Sequence, residues 1–343
     1  MEYQVYIAIA GENKISTFKM NPDTGKLVFQ GDIAVSGGPG PLAVDPERGF
    51  LYAGVRSTRQ ISSFRIKQDT ADISLIGTVS LDADPCYIAT DRRGNFLLSA
   101  YYGAGKAAVH PIGRDGAVSS PAIECLVTAE HAHCIQTDPS NKFAFVPHTV
   151  EPNVIFQFNF DENTGALTPN SVPKVMPEEK LGPRHFCFHP NKDILYFSNE
   201  QGSSVTAYNF DPSEGTLTAV QTISTLPDDY DGENTCAQIH ITPSGKFLYV
   251  SNRGHDSIAG FSVDGATGRL SSLGQQPTEP TPRAFTIDPT GNFLFAGGQG
   301  SGRVASYRID LQTGELKPLE IYTVGENPMW VLVVSLPGGK DND

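Results

Sequence analysis

The sequence contains no long apolar run, no sustained helical periodicity and few basic residues, and each absence excludes a class of protein. No run approaches the roughly 20 apolar residues that a membrane-spanning helix needs. No apolar pattern with a helical period persists, which argues against a helical bundle. The 25 Lys and Arg face 38 Asp and Glu, and the formal net charge of −13 disfavours nucleic acids and anionic membranes as partners. A small anionic ligand would therefore need a local cluster of arginines.

Targeting and redox signals are also scarce. Residues 1–6 lack the basic start and the long apolar stretch of a signal peptide. The cysteines are odd in number and do not show the spacing of a metal site: Cys86, Cys125, Cys134, Cys187 and Cys236. These features predict reduced thiols and a cytoplasmic location.

An internal repeat is the strongest positive signal. A short apolar strand, a turn of Asp-Pro type and an aromatic strand recur at intervals of about 46 to 53 residues, the size of a four-stranded propeller blade. The copies occupy residues 42–52, 88–98, 135–145, 186–196, 239–249 and 285–295.

A second repeated motif follows the first, and it consists of two alternating strands around an Asp/Asn-Gly type of turn. Its copies begin near Ile15, Ile61, Ala107, Val154, Val205, Ile258 and Val304. The seventh copy of the first motif is split, with residues 330–335 as its first strand and 3–10 as its second. The sequence thus predicts an all-β, seven-bladed β-propeller of four-stranded antiparallel blades. The N- and C-terminal strands share one blade, and residues 1–343 form a single domain.

The blades differ most where their first strand starts and their second strand ends. In an antiparallel blade these two points lie at the same end of the central channel. The position six residues before each turn holds Gly40, Cys86, His133, Arg184, Ala237 and Arg283. The position ten residues after it holds Arg56, Tyr102, Thr149, Glu200, Arg253 and Gln299. A structural repeat would keep one residue type in such a column, so the variation indicates a site in this mouth of the channel.

Histidines concentrate at the same end. Six of the eight lie at or near it, namely His131, His133, His148, His185, His240 and His255. The main candidates for the site are His133, Arg184, Glu200 and Arg253, and His240, His185 and Arg283 are secondary ones. Alternatively, Arg184 and Glu200 form an ion pair between blades and the histidines have structural roles. A zinc site of His133, His240 and Glu200 is disfavoured because the neighbouring arginines would repel a dication, so we expect no metal and no cofactor.

Several sequence blocks resemble the lactonase seven-bladed propeller family. They are His131-Ala132-His133, Gly182-Pro183-Arg184-His185, Asn199-Glu200, Ser251-Asn252-Arg253 and Pro282-Arg283. The family includes bacterial 6-phosphogluconolactonases and fungal 3-carboxy-cis,cis-muconate lactonizing enzymes. The site proposed for the fungal enzymes, one His, two Arg and one Glu, falls on His133, Arg184, Arg253 and Glu200. The resemblance implies that no metal takes part.

The chain departs from the family pattern at three places. Position 238 is often acidic in relatives but is Gln238 here, and residues 149–152 read Thr-Val-Glu-Pro where relatives often have Gly-x-Asp. The segment 227–235 is acidic and is expected to overhang the same mouth. These departures concern the identity of the substrate more than the type of reaction.

The resemblance implies hydrolysis of a sugar-acid lactone, 6-phosphogluconolactone or a related aldonolactone. Ring opening needs a general base, for which His133 and Glu200 are both candidates, and a positive group for the oxyanion, for which Arg184 is the candidate. Arg253 with Arg283 would bind a phosphate or carboxylate.

The secondary histidines, His240 and His185, would orient the hydroxyls or the leaving oxygen of such a substrate. Two other functions remain open, a cycloisomerase that forms a lactone from a carboxymuconate and a non-enzymatic binding platform. The expected partner is a small anionic lactone, and neither nucleic acid nor a membrane is expected. The oligomeric state is open, and a monomer is compatible with the sequence.

Overall fold

The computed structural model describes residues 1–68, 70–177 and 180–336, and its strands form seven antiparallel sheets of four strands each. The predicted domain boundary at residue 343 lies outside the described residues. The seven-bladed architecture predicted from the repeat is confirmed.

The strands follow one another blade by blade along the chain. The closing blade, blade VII, starts with β1 (Glu2–Ile9), a 3-10 turn (Ala10–Glu12), β2 (Lys14–Met20) and β3 (Leu27–Ala34). Blade I contains β4 (Pro39–Val44), β5 (Phe50–Val55), β6 (Gln60–Ile66) and β7 (Ile73–Ser80). Blade II contains β8 (Tyr87–Thr90), β9 (Phe96–Tyr101), β10 (Lys106–Pro111) and β11 (Glu124–Val127). Blade III contains β12 (Gln136–Thr137), β13 (Phe143–His148), β14 (Val154–Phe160) and β15 (Leu167–Val175).

Blades IV to VI repeat this order. Blade IV contains β16 (Pro183–Phe188), β17 (Ile194–Asn199), β18 (Ser204–Asp211) and β19 (Thr216–Ser224). Blade V contains β20 (Thr235–Ile241), β21 (Phe247–Arg253), β22 (Ser257–Val263) and β23 (Leu270–Pro277). Blade VI contains β24 (Pro282–Ile287), β25 (Phe293–Gly298), β26 (Arg303–Ile309) and β27 (Leu316–Thr323). The last strand, β28 (Pro328–Leu336), pairs with β1 as the innermost strand of blade VII.

The ring closes through this pairing of the two ends of the chain, as predicted. In the antiparallel register Tyr3 faces Ser335 and Ile7 faces Val331. The innermost strand β28 also contacts β24 on one side and β4 on the other, so it bridges blades VI and I. The closing blade therefore combines strands from both ends of the chain in one four-stranded sheet.

The turn between the first two strands of a blade is held by its Asp. In blade III the Asp138 carboxylate accepts hydrogen bonds from the backbone N–H groups of Lys142 and Phe143, both at 2.8 Å. Asp91 and Asp288 do the same in blades II and VI. This geometry explains why the Asp recurs in the repeat, since its oxygens satisfy backbone donors that the tight turn leaves unpaired.

The core is divided into apolar clusters that lie between neighbouring blades. Tyr52, Ile61, Ile88 and Leu97, for example, join blades I and II. A buried tyrosine reinforces such an interface in several places, as where the Tyr249 hydroxyl donates to the Gly314 carbonyl of the next blade at 2.7 Å. Burial of apolar faces between blades holds the ring rigid around the channel. In the described residues, no helix is long and apolar enough to cross a membrane.

Candidate active site in the mouth of the channel

β-bulges shape the wall of the channel at one end. Arg184 is the extra residue of β16 and Arg283 is the extra residue of β24, because the partner strand offers no residue opposite either of them. Register shifts occur at equivalent places in β4, β20 and β28. A bulge bends the strand and redirects a side chain. The bulges therefore turn side chains that would otherwise pack between blades toward the lumen.

A narrow cavity of about 10 Å³ lies where these side chains converge. Its wall contains both polar and apolar side chains and consists of Gly40, Pro41, Arg56, Cys86, His133, Arg184, His185, Gln238, Arg283, Met329 and Trp330. A space of this size holds about one water molecule or one small group of a ligand. The rest of a ligand would lie toward the rim, where the side chains of Glu200 and Arg253 are 15% and 14% exposed.

A carboxylate bridges two arginines at the rim. Glu200 Oε1 accepts a hydrogen bond from Arg253 Nη2 at 2.8 Å, and Glu200 Oε2 lies 3.0 Å from Arg184 Nε. The second contact is an ion pair that is not aligned as a hydrogen bond, so Arg184 Nε and Nη1 have no hydrogen-bond partner in the described part of the chain. Arg184 is 1% exposed. Buried donors of this kind are costly unless a ligand or water satisfies them.

The charges of this bridge shift its pKa values in opposite ways. Burial alone would raise the pKa of Glu200, but the charges of Arg184 and Arg253 outweigh it and hold that pKa below its usual value. Burial lowers the pKa of Arg184 to about 9, with Glu200 opposing the shift. Glu200 and Arg184 are therefore both charged at neutral pH.

Arg283 lies beside this bridge without a carboxylate of its own. Its guanidinium makes no hydrogen bond or ion pair with any residue that the structure describes. Burial and the charges of Arg253 and Arg56 lower the pKa of Arg283 to about 10, which still leaves it protonated at neutral pH. The four arginines at this mouth face only two paired carboxylates, Glu200 and Asp84. The mouth is thus locally positive on a chain whose net charge is −13.

Two buried histidines contact each other across blades III and IV. His185 Nε2 and His133 Nδ1 are 3.2 Å apart, a hydrogen bond in which either ring can donate. Burial, followed by the charge of Arg184, holds the pKa of both rings well below the usual value, so both are neutral at pH 7. His185 is also packed edge-on against Tyr87, with ring centres 5.0 Å apart. The other ring nitrogen of His133, Nε2, has no protein partner in the described residues.

The structure brings six of the seven predicted site residues together. His133, Arg184, His185 and Arg283 line the cavity, and Glu200 and Arg253 form its rim. His240 is the exception. It does not line the cavity, because the residue of β20 that does so is Gln238, two residues earlier. His240 Nε2 lies 3.4 Å from the Gln238 side-chain oxygen, and its ring packs on Phe285. Gln238 takes the place facing the lumen because the bulge of β20 lies at that point.

Three further histidines at this end make local contacts. His148 is fully buried, with its Nε2 2.9 Å from Thr128 Oγ1, and burial lowers its pKa to about 4. His131 Nδ1 lies 3.0 Å from the Glu151 carbonyl, and His255 packs against Tyr230 of the acidic segment 227–235. That segment is therefore beside Arg253 and the rim, in keeping with the expected overhang.

Sequence reasoning missed part of the cavity wall. Arg56 was among the residues found ten positions after the turns but was not chosen as a site candidate. Trp330 and Met329 come from the innermost strand of the closing blade, which the alignment of turns did not include. Trp330 packs against Tyr87 and His185. Alignment of the equivalent positions in the split seventh blade would have pointed to this region of β28.

Comparison with known proteins gives a consistent result along the whole chain. The family described as "Lactonase, 7-bladed beta-propeller" matches residues 4–333. A 6-phosphogluconolactonase of Serratia proteamaculans (strain 568) is 37% identical over 335 residues, which cover 98% of this chain and 100% of the relative. A 6-phosphogluconolactonase of Pectobacterium carotovorum subsp. carotovorum (strain PC1) is 36% identical over 337 residues, with the same coverage of both chains.

Solved structures share the architecture. The periplasmic gluconolactonase of Pseudomonas aeruginosa superimposes with a TM-score of 0.89 at 22% sequence identity, covering 98% of this chain and 100% of that one, and this likeness shows the fold. The match over residues 4–333, together with full-length relatives above 30% identity, decides the family. The chain belongs to the seven-bladed β-propeller lactonase family.

Proposed function

We propose that the protein is a lactonase that hydrolyses a sugar-acid lactone, 6-phosphogluconolactone or a related aldonolactone. The observation that carries this proposal is that a neutral histidine, His133, and a buried arginine with free donors, Arg184, line the same small cavity. Lactone hydrolysis needs these two groups, one to take a proton from water and one to stabilise negative charge on the carbonyl oxygen. The names of the full-length relatives support the same reaction.

His133 is the better candidate for the general base. Glu200 was the other candidate, but both of its oxygens are directed at Arg253 and Arg184, and their charges hold its pKa low. Both oxygens of Glu200 are thus engaged by guanidinium groups and are not available to accept a proton from water. His133 is neutral at pH 7, and its Nε2 is not occupied by a protein group of the described chain.

The tautomer of His133 is set by its neighbour. If His133 Nδ1 donates its hydrogen to His185 Nε2, the lone pair of His133 is on Nε2 and points away from the pair. His185 would then be a positioning residue, a role different from the orientation of substrate hydroxyls expected from the sequence. His240, which is hydrogen-bonded to Gln238, would affect the substrate only through that side chain.

The proposed reaction has two steps. His133 takes a proton from water while the water oxygen attacks the lactone carbonyl carbon, and the carbonyl oxygen becomes an oxyanion beside Arg184. The ring C–O bond then breaks, and the proton on His133 passes to the leaving oxygen, which becomes a hydroxyl of the open acid. One hydrogen-bond donor to such an oxyanion typically lowers the activation barrier by about 3 kcal/mol. The buried position of Arg184 favours a strong contact of this kind.

The anionic group of the substrate would be bound by Arg253 and Arg283. Arg283 has no ion-paired carboxylate in the described residues, and the more distant Glu200 compensates its buried charge only in part, so a bound anion would be favourable there. A ligand phosphate or carboxylate would supply that charge. This agrees with a small anionic lactone as the partner.

We also propose a cytoplasmic location. All five cysteines are free, and three of them, Cys86, Cys134 and Cys236, are buried. Free thiols are typical of reducing compartments, whereas exported proteins usually pair them. Fractionation of cells with compartment markers tests this proposal, and recovery with the periplasmic markers would refute it.

Turnover measurements test the function directly. Purified protein is mixed with 6-phosphogluconolactone and, separately, with glucono-δ-lactone, and acid release is followed in a pH-stat after subtraction of spontaneous opening. Acceleration of at least one lactone, with loss of activity in His133→Asn and Arg184→Gln, is expected. Absence of acceleration for both substrates contradicts the proposal. A parallel assay with carboxymuconate, read as loss of ultraviolet absorbance, tests the cycloisomerase alternative.

A further inference from the structure

Blade I presents an arginine to the cavity by a route different from blades IV and VI. In blades IV and VI the bulge of the innermost strand itself supplies the arginine, Arg184 or Arg283. In blade I the equivalent position is Gly40, and the arginine is Arg56, which follows the second strand, β5. Blade I, like blades IV and VI, thus places a guanidinium group at the cavity, but this group comes from the end of the second strand instead of the first.

Gly40 makes room for this side chain. A Cβ atom on Gly40 would lie 2.9 Å from Arg56 Cδ and 3.0 Å from its Cγ, so the stem of Arg56 occupies the space of a side chain at position 40. The backbone of Arg56 is fixed as well, because its N–H donates to the Gly38 carbonyl at 3.0 Å. The arginine is therefore held over the bulge and directed into the cavity.

The guanidinium of Arg56 is only partly satisfied. Its Nε and Nη2 both donate to one oxygen of Asp84, at 3.2 and 2.6 Å. The two side chains are 31% and 38% exposed, so Asp84 is free to be solvated if a ligand competes for the arginine. Arg56 Nη1 makes no hydrogen bond with any described residue, and Arg56 is one of the residues that line the cavity.

Arg56 lines the same cavity as His133 and Arg184 but comes from another part of the ring. His133 and Arg184 belong to blades III and IV, where Glu200 compensates the charge of Arg184. Arg56 and Arg283 belong to blades I and VI, which are joined by the closing blade; Arg56 is paired with Asp84, whereas Arg283 has no ion pair in the described residues and is reached only by the more distant charge of Glu200. A phosphorylated lactone likewise has two separate polar ends, the ester carbonyl and a phosphate dianion on an exocyclic carbon.

We infer that Arg56, together with Arg283, forms a subsite for the phosphate dianion of the substrate and so determines preference for phosphorylated over unphosphorylated lactones. This inference rests on the proposed lactonase function and adds a residue and a substrate class to it. Two guanidinium groups on one phosphate give paired, charge-assisted hydrogen bonds, which are the strong ones in proteins. In this arrangement Arg56 takes the place beside Arg283 that was given to Arg253 above, because Arg253 is paired with Glu200 at the rim.

Three variants test the subsite: Arg56→Gln, Gly40→Ala and the control Arg59→Gln, whose side chain is exposed in the same loop. Arg56→Gln should lower kcat/KM for 6-phosphogluconolactone about 10- to 100-fold, mainly through KM, because a hydrogen-bonded charge contact is lost. Its kcat/KM for glucono-δ-lactone should change less than about twofold, since that substrate has no phosphate. Gly40→Ala keeps the arginine but displaces its stem, and should show the same selective loss with an unchanged melting temperature. Arg59→Gln should behave as wild type.

Equal losses for both substrates, or no loss for either, overturn the inference. A binding measurement separates this outcome from failure of the proposed function. Titration calorimetry with 6-phosphogluconate and with gluconate needs no turnover, and Arg56→Gln should weaken binding of the phosphorylated acid alone. If wild type binds 6-phosphogluconate with this dependence on Arg56 but hydrolyses no lactone, the phosphate subsite holds and the lactonase proposal fails. If binding is independent of Arg56, the subsite is refuted whatever the enzyme hydrolyses.

Discussion

Replacement of Glu200 by Gln should destabilise the protein because it leaves the buried Arg184 without a counter-charge. Arg184 is 1% exposed, and Glu200 is the carboxylate 3.0 Å from its Nε. The amide retains an oxygen that can accept from Arg253, so the variant removes the charge while preserving most of the shape. Loss of one partner of a buried ion pair typically costs about 3–5 kcal/mol.

The expected cost for Glu200→Gln is lower than that range. Glu200 retains 15% exposure of its side chain, so water partly compensates Arg184, and about 2–3 kcal/mol is a reasonable expectation. The entropy of unfolding at the midpoint is about 2.1 cal/mol/K per residue, so for a chain of this length the change corresponds to a Tm lower by roughly 3–4 °C.

A matched control is available in Glu279, whose carboxylate is also buried but whose partner is Arg303, 46% exposed. Glu279→Gln leaves an arginine that water can reach, so a change below about 1 kcal/mol is expected. Urea unfolding at pH 7 measures both variants. Equal stabilities of the two variants would show that Arg184 does not need Glu200, and the view of the rim as a compensated bridge would be wrong.

The difference in stability between wild type and Glu200→Gln should depend on pH. The charges of Arg184 and Arg253 hold the pKa of Glu200 in the folded protein below its usual value of about 4.5. Its stabilising effect is therefore complete above about pH 5 and is lost as pH falls through the lower, folded pKa. The difference in unfolding free energy between wild type and Glu200→Gln should be full at pH 7 and should narrow in acid.

Four further outcomes follow from the geometry. His133→Asn should lower kcat about 10²- to 10⁴-fold with little change in KM, measured by lactone turnover, and an undiminished kcat would exclude His133 as the base. His185→Gln, which retains a polar group toward His133, should preserve more of kcat than His185→Leu; equal loss in both would show that the contact is not needed. Because the pKa of His133 lies well below its usual value, kcat/KM corrected for spontaneous opening should stay flat down to about pH 6.5 and fall only in more acidic solution; a fall centred above that pH refutes the assignment. In thiol titration of the native protein, Cys125 should react first because it is the exposed cysteine, and rapid reaction of Cys86 would contradict its burial.

The ring was predictable from the sequence because each blade repeats the same local chemistry. Asp91, Asp138 and Asp288 hold the same turn, and the apolar positions of each strand meet those of the next blade. The mouth was predictable for a related reason. Counting residues from the turn assumes regular strands, yet Arg184 and Arg283 are in bulges. The count still aligned them because β16 and β24 bulge at the same place, so the offset is the same in both strands.

The contacts between blades were not predictable from the repeat. Nothing in the spacing shows that His185 meets His133 rather than a substrate, because that hydrogen bond depends on how two blades are rotated against each other. His240 was placed at the site by its strand position, but the bulge of β20 gives Gln238 the lumen-facing place. Arg56 reaches the cavity only because Gly40 lacks a side chain, a three-dimensional relation between two separate columns.

The place of β28 after all the other described strands has a consequence for the synthesis of the protein. This strand is the last of the strands to be made, and it supplies Met329 and Trp330 to the cavity wall while joining blades VI and I. A nascent chain that has released every other strand therefore still has an open ring and an unfinished site. Activity should appear only when β28 has left the ribosome, so incomplete translation products would be without the activity of the finished enzyme.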